Sequence, residues 1–465
     1  MIPIAVTQAL EDLARIFQSG GAVLYAVGGM VRNNLLSLPV QDVDICSSML
    51  IEDAEALLRE NGIKTKQKGA FFGTLDIEFQ GERFEYASFR AERYGEGGDH
   101  KPSVVTFGAT LEEDAFRRDF TVNALYYDIL GGEVIDPTGG IEDLQAKRIR
   151  ATSPDPDIIL RDDGLRILRM ARFAAELGFT VEENTLLSAK RNSGGLRDIA
   201  PERIREELDK ILLSDIRYLK GKERVLDGLE LLRDCRALDV ILPELAAGRG
   251  IEQRKEYHAY DVETHMLHTA AAAPARLHLR LAGLLHDVGK PVAYRNTGKM
   301  YDHDKIGTGI SREILSRLRY PNHITDKVTT LVRWHMYDLN GSAKESTLRR
   351  RFAQWGREAS HDLVAIREAD VHGSGIIQGE VKSAERWKKF LLRMDVEHAP
   401  FHPNDLNCTG KDIMQWLSLP PSPRIGEIKA QLLLHCACHP KDNCRERLQK
   451  TTKDIGAKAT WKNDR

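Results

Sequence analysis

The chain has 465 residues, 42% hydrophobic and 29% charged, a balance that supports large packed cores and excludes a disordered or low-complexity protein. Its 67 basic and 69 acidic residues leave a net charge of −2, so any nucleic-acid surface has to come from local clustering of basic side chains. The opening segment MIPIAVTQALEDLARIF has helical spacing with acidic residues instead of the basic-then-apolar order of a signal peptide, and no apolar run reaches bilayer length. Six irregularly spaced cysteines fit reduced thiols, and a cytoplasmic protein without a membrane partner is expected.

In residues 1–150 helix and strand alternate. Strands are expected at Ala22–Val27, Val43–Cys46, Phe72–Phe79, Arg83–Arg90 and Thr121–Ile129, from apolar runs bounded by Gly, Pro or Asp. Gly28 and Gly29 stand between the first strand and a helical pattern over Met30–Leu38. Such a turn lets backbone N–H groups approach phosphate oxygens, and Arg32, one turn on, can grip a phosphate with two donors. A plain tight turn explains the glycine pair as well. Asp42 and Asp44 are more specific, because residues two apart on a strand share a face. Carboxylates held that close need cations, and this is the layout that clamps divalent ions for phosphoryl transfer. Glu85 in RFEYASFR can bring a third carboxylate from a neighbouring strand or simply face solvent. The segment GEGGDHKPS, residues 95–103, has the composition of a mobile loop.

Beyond Asp155 the spacing is helical and no further strands are expected. In DDGLRILRMARF, Asp163 and Arg166 are three apart and predicted to share a helix face, continued by Arg169 and Arg172. They can form an intrahelical salt bridge. They can also read a base: an accepting carboxylate beside a donating guanidinium matches the amino group and ring nitrogen of cytosine and adenine, and opposes guanine and uracil. Residues 251–340 hold 8 of the 15 histidines. His265, the adjacent pair His286–Asp287, His303 and His335 lie on helical patterns or their ends, with Asp370 a more distant carboxylate. Gathered from separate helices, they would make a metal site suited to activating water on a phosphate. Cys436, Cys438, His439 and Cys444 also cluster, but they form half of a usual zinc pattern and helix packing explains them equally.

GG-x-V-R and D-x-D, followed in order by RRDFTVNAL (117–125), GGIEDLQAKRIR (139–150), RDDGLRILRMARFAAELGF (161–179) and PERIREELDKIL (201–212), resemble the motifs of class II tRNA nucleotidyltransferases of the polymerase β superfamily. That family includes CCA-adding, A-adding and CC-adding enzymes and bacterial poly(A) polymerases. The resemblance implies an α+β protein with a mixed-sheet nucleotidyltransferase head (1–151), a helical neck with the base-reading helix (152–222), a helical body with an HD phosphohydrolase-like region (223–360) and a tRNA-binding helical tail (361–465). It implies addition of CMP and AMP, from CTP and ATP, to a tRNA 3′ end. Asp42 and Asp44 would hold Mg²⁺, while Gly29 and Arg32 meet the triphosphate beside Gly28. Arg118 would touch the nucleotide, and Asp119 and Asn123 would shape the hinge and sugar pocket. Asp163 and Arg166 would read the base, with Arg169 and Arg172 nearby. The family usually has Asp where this chain has Asn33, which puts the loop geometry in question. The loop at 95–103 falls where the family carries the element linked to switching from C to A addition, which argues against CC-only addition. The HD region, which resembles the HD phosphohydrolase motif, would hold a second divalent transition metal or survive as a scaffold. A-only addition and poly(A) synthesis are the near alternatives. An HD nucleotide phosphohydrolase with a nucleotide-sensing head and a non-catalytic RNA-binding protein are the distant ones.

Overall fold

The glycine turn and the D-x-D segment lie on adjacent strands at the centre of one seven-stranded sheet. The computed structural model describes residues 4–68, 74–93, 104–218, 221, 223–377 and 379–458, so the expected loop at 95–103 lies outside the described residues. In the head, α1 (Gln8–Ser19), β1 (Tyr25–Val27), α2 (Gly29–Leu35), β2 (Asp44–Ser47) and α3 (Ile51–Glu60) are followed by the meander β3 (Lys64–Lys68), β4 (Thr74–Phe79) and β5 (Glu82–Ser88). A separate hairpin, β6 (Arg90–Arg93) and β7 (Val104–Phe107), leads to α4 (Leu111–Phe116). Then come β8 (Tyr126–Asp128), β9 (Val134–Ile135), α5 (Gly140–Gln145) and β10 (Arg148–Ile149). The sheet order is β3-β4-β5-β2-β1-β8-β9, and within it only β2 and β5 run parallel. Apolar residues on its strands, such as Ile45, Leu75, Ile77, Phe84 and Tyr86, are buried beneath α1 and α3, and Asp44 and Glu85 occupy alternate positions that face the other way.

Two strand expectations change. The run Thr121–Ile129 begins as a 3-10 turn, Thr121–Asn123, because backbone bonds from Asn123 and Ala124 close back on Phe120 and Thr121. Further on, β11 (Thr180–Val181) pairs in parallel with β10, a short strand past the point where none is expected.

The neck comprises α6 (Pro156–Asp162), α7 (Leu165–Leu177), α8 (Glu183–Asn192) and α9 (Pro201–Leu212). Next, α10 (Glu223–Asp234), α11 (Ala237–Ile241) and α12 (Pro243–Ala246) stay with it, and Gly228 of α10 abuts Ile211 and Ala175. The first compact unit therefore runs Met1–Ala246 and the second Ala247–Arg465. The break falls at 246/247, beyond the expected neck-to-body boundary at 222/223.

The second unit is helical throughout among the described residues: α13 (Val262–Ala272), α14 (Leu277–Leu285), α15 (Lys290–Thr297), α16 (His303–Arg317), α17 (Asn322–Trp334), α18 (Glu345–Trp355), α19 (Arg357–Gly373), α20 (Lys382–Val396), α21 (Gly410–Leu417), α22 (Pro423–Cys438) and α23 (Arg445–Lys458). Its core has α13 and α14 packed on α17 and α19, while Trp387 of α20 meets Phe352 of α18 edge to face and Trp355 at a tilt. Among the described residues no helix is long and apolar enough to cross a membrane.

Candidate functional site

The parallel pairing of β2 with β5 sets Asp44 directly opposite Glu85, and the pairing continues through a bond from the Glu85 N–H to the Val43 carbonyl, 3.1 Å. Asp42 lies two residues upstream, just before β2 begins, and the three carboxylates line a common cleft. Asp44 is solvent-accessible, yet the walls around it strip away much of its water. That desolvation, with the charges of Glu85 and Asp42, lifts its carboxyl above the usual range against the pull of Arg118 and Arg169.

Asp42 and Asp44 also line a cavity of about 970 Å³ in the first unit. On one side Gly28, at φ 67°, turns the chain so that α2 starts at Gly29. Arg32 follows within α2, buried at 3% exposure, with its guanidinium donating to the Asn123 and Asn33 side-chain oxygens and lying 5.1 Å from the Phe173 ring. Tyr218 lines the same cavity. Burial raises its phenol, but Asn33, Arg217 and the Arg32 charge bring it below the ordinary value.

Arg118 is aimed by a buried carboxylate. Asp114 accepts from Arg118 Nη2 at 3.0 Å, from Arg117 Nε at 3.0 Å and from the Tyr126 hydroxyl at 2.6 Å. Burial alone would raise Asp114, but Arg118 and Arg117 hold it far below the usual carboxylate range. Asp119 is similar: burial is outweighed by Arg169, at 2.6 Å, and by Asn123, leaving it at about 2. Asn123 therefore joins Asp119 to Arg32.

The base-reading pair takes a different form from the one the spacing predicts. Asp163 is outside the helix: α6 ends at Asp162, Asp163 is extended, and Gly164 caps α7. The Asp163 carboxylate accepts from the Leu165 N–H at 3.0 Å and meets Arg203 Nη2 at 3.3 Å. Arg166 points away from it, 8% exposed, donating to the carbonyls of Ile159 (3.0 Å) and Arg117 (2.9 Å). The intrahelical salt bridge is absent, although both residues line the cavity. Arg169 is held by Asp119, and Arg172 by Glu207 at 2.6 Å and Glu176 at 3.3 Å. The spacing places these arginines correctly on one helix but does not reveal their partners, nor Asp114, Arg203 and Tyr218. Of these, Asp114 could be suspected from its place four residues before Arg118.

In the second unit the histidines converge as expected. His265, His286 and Asp370 form one group, and Asp287, His303 and His335 another. Asp287 spans both, with one carboxylate oxygen 3.2 Å from His286 Nε2 and 3.5 Å from His265 Nε2, the other 3.1 Å from His303 Nε2 and 3.6 Å from His335 Nε2. The Nδ1 atoms of His286, His303 and His335 face the carbonyls of Gly283 (2.8 Å), Met300 (2.7 Å) and Val332 (2.7 Å). A carbonyl can only accept, so each Nδ1 carries a proton and each Nε2 faces inward, where it can offer a lone pair once it has no proton of its own. Burial opposes charge on His286, but Asp287 and Asp370 overcome it and raise that ring to about 10; a bound cation would take over this compensation. The His258 ring, 4.6 Å from His265, lies outside the motif, while Lys290, in the Gly-Lys that follows His286–Asp287, is 2.5 Å from Asp287 and 2.7 Å from Gln253. The cysteine cluster does not assemble: Cys436 is buried in α22, Cys444 is exposed, and Cys438 donates to the Ser346 carbonyl.

A carboxylate cluster on a mixed sheet, a cavity walled by arginines, and a helical unit with a histidine–aspartate centre together define a nucleotidyltransferase with an HD region. Residues 24–150 match the family described as the poly A polymerase head domain, 178–248 a probable RNA- and SrmB-binding site of polymerase A, and 256–372 the HD domain. The A-adding tRNA nucleotidyltransferase of Deinococcus radiodurans is 34% identical over 71% of this chain and 76% of its own. A multifunctional CCA protein of Neisseria meningitidis is 36% identical over 70% and 75%. The Bacillus stearothermophilus CCA-adding enzyme, solved with CTP, superposes with a TM-score of 0.70 at 25% identity over 97% of each chain. The chain belongs to the tRNA nucleotidyltransferase family.

Proposed function

We propose that this chain adds CMP and AMP, drawn from CTP and ATP, to the 3′ end of tRNA without a nucleic-acid template. The observation that carries this reading is the meeting of Asp42, Asp44 and Glu85 in one cleft, with Asp42 and Asp44 also lining the arginine-walled cavity. Those carboxylates suit Mg²⁺, which when bound lowers the cost of ionising the attacking 3′-hydroxyl and neutralises charge on the leaving pyrophosphate. The chain's own residues do the rest. The Gly28–Gly29 turn and Arg32 receive the triphosphate, Arg118, aimed by Asp114, meets the nucleotide, and Asn123 orients Arg32. Asp163 presents an acceptor to the amino group of cytosine or adenine, and Arg166 joins it once it leaves the two carbonyls that hold it. Arg169 and Arg172, already paired with carboxylates, stiffen the wall.

The decisive experiment offers tRNA lacking CCA, or ending in CC, with each nucleotide alone and with CTP plus ATP, followed by sequencing of the 3′ ends. Full CCA on the first substrate supports the proposal. Addition of A alone to the CC-ended tRNA would narrow the protein to the activity named for its Deinococcus relative.

A second activity is favoured by the inward-facing Nε2 atoms of the HD region. We infer that His265, His286, Asp287, His303, His335 and Asp370 hold divalent transition metal and hydrolyse phosphate esters, such as terminal or 2′,3′-cyclic phosphates. His286→Ala should remove that hydrolysis and spare nucleotide addition. If Mn²⁺, Ni²⁺ and Co²⁺ all fail to support hydrolysis, the region is a scaffold.

A further inference from the structure

The ligand set of the histidine–aspartate centre is not evenly enclosed. Asp370 keeps 16% of its side chain exposed, whereas the side chains of His265, His286, Asp287, His303 and His335 keep 6% or less. Solvent, and with it any substrate, reaches the centre past Asp370.

The segment that leads into α13 borders that opening and is pinned at three points. The Val262 N–H donates to the Ile251 carbonyl at 3.1 Å, the Ala259 N–H donates at 2.8 Å to the carbonyl of Ser374, just beyond Asp370 in the chain, and Gln253 Oε1 accepts from Lys290 Nζ at 2.7 Å. Between the last two points stands His258, half-buried, its ring edge-on to that of His265 at 4.6 Å. The charges of Lys290, Asp287 and Asp370 all act on it. Yet His258 joins neither group of ligands, and among the described residues its buried Nδ1 has no hydrogen-bond partner. A buried polar atom left without a partner is costly to hold, and beside an open centre the missing partner is an atom of a ligand. In either protonation state an imidazole keeps at least one N–H, and a phosphate oxygen accepts.

We propose that His258 is the substrate-contact residue of this centre, donating a hydrogen bond to a non-bridging oxygen of a phosphate ester that enters past Asp370, and that Gln253, through Lys290, is the positioning residue that holds its segment there. This rests on the reading of the centre as a metal-dependent phosphohydrolase. Metal is held from within by the six ligands, and His258 acts from the open side. A purely packing role, in which His258 steadies the His265 ring, makes the opposite forecast: metal binding would weaken first.

Titration calorimetry on the full chain measures the affinity for Mn²⁺ and then that of the Mn²⁺-loaded protein for inorganic phosphate, beside kcat and KM for a 2′,3′-cyclic phosphate. His258→Ala should weaken phosphate binding at least tenfold and raise KM by a similar factor, with Mn²⁺ affinity within twofold of the parent. His258→Asn, whose amide nitrogen stands where Nδ1 stood, should recover most of the phosphate affinity. Gln253→Ala should weaken phosphate binding severalfold with the His258 ring still present. Phosphate binding by His258→Ala within twofold of the parent, or a fall in its Mn²⁺ affinity as large as the fall in phosphate affinity, overturns the inference. So do equal phosphate losses in His258→Ala and His258→Asn, and a parent that takes up Mn²⁺ but no phosphate. A parent that binds both but hydrolyses no ester would instead remove the phosphohydrolase reading and leave the contact at His258 standing.

Discussion

Asp44 trades stability for chemistry at a single carboxyl. Because its folded-state pKa is raised, the folded protein holds that proton more tightly than the unfolded chain does, so the contribution to stability is complete below the ordinary value of 3.8 and is lost as pH rises through the raised one. At pH 7 the ionised carboxylate therefore opposes folding. Asp44→Asn is expected to raise Tm at pH 7 in metal-free buffer, to lose that advantage near pH 3, and to abolish nucleotide addition. Calorimetry at the two pH values with a tRNA extension assay checks all three, and addition above a few per cent would remove Asp44 from the metal site. Asp163 lends itself to a different measurement. Replacing it with Asn offers a donor where cytosine and adenine present their own, a mismatch of about 1–3 kcal/mol, so C and A incorporation should fall together by roughly tenfold to a hundredfold relative to U and G. The salt bridge to Arg203 is lost in the same variant, so Arg203→Ala serves as the control for that pair alone. Equal losses for all four nucleotides in Asp163→Asn would reduce Asp163 to a structural partner of Arg203.

At the level of elements, legibility followed the range of the signal. The D-x-D pair was readable because a period of two needs only three residues, and Glu85 because it alternates with Phe84 and Tyr86. By contrast β3, KTKQK, carries no apolar alternation: it is an edge strand held by its backbone to β4, and nothing in its side chains announces it. The helix through Asp163 was predicted too long, since the periodicity runs on while Asp163–Gly164 breaks the backbone between α6 and α7. Partners such as Asp119 for Arg169 or Glu207 for Arg172 lie 50 and 35 residues away, beyond any local pattern. The HD motif shows the converse, because its glycine has a tertiary reason. A Cβ on Gly289 would stand 2.2 Å from the His303 carbonyl oxygen and 2.6 Å from the Gly307 nitrogen. Gly289→Ala should push α16 outward, carry His303 off Asp287, and lower Mn²⁺ affinity by tenfold or more while nucleotide addition persists. Metal titration by calorimetry checks this, and unchanged affinity would mean that the helix gives way without moving the ligand.

For the molecule as a whole, two compact units with separate chemistry should answer separately to their ligands. A cation that binds only folded protein adds about 2.7 kcal/mol of stability at a hundred times its dissociation constant. Mn²⁺ should therefore move one thermal transition upward, and His303→Ala should abolish that shift without touching the other transition. A uniform shift in the variant would show that the ion acts elsewhere.

The lone parallel pair in the sheet also bears on how the head assembles. The antiparallel pairs β3–β4 and β4–β5 join segments adjacent in the chain, whereas Asp44 and Glu85 are about forty residues apart and meet only when β2 closes on β5. Closing the longer loop is the slower event. The carboxylates are thus kept apart until the meander beneath them is formed, and their mutual repulsion falls on a late step. In pulse-labelled amide exchange during refolding, the Glu85 N–H bonded to Val43 should gain protection after the ladder of Thr74–Phe79, and Asp44→Asn should shorten that interval.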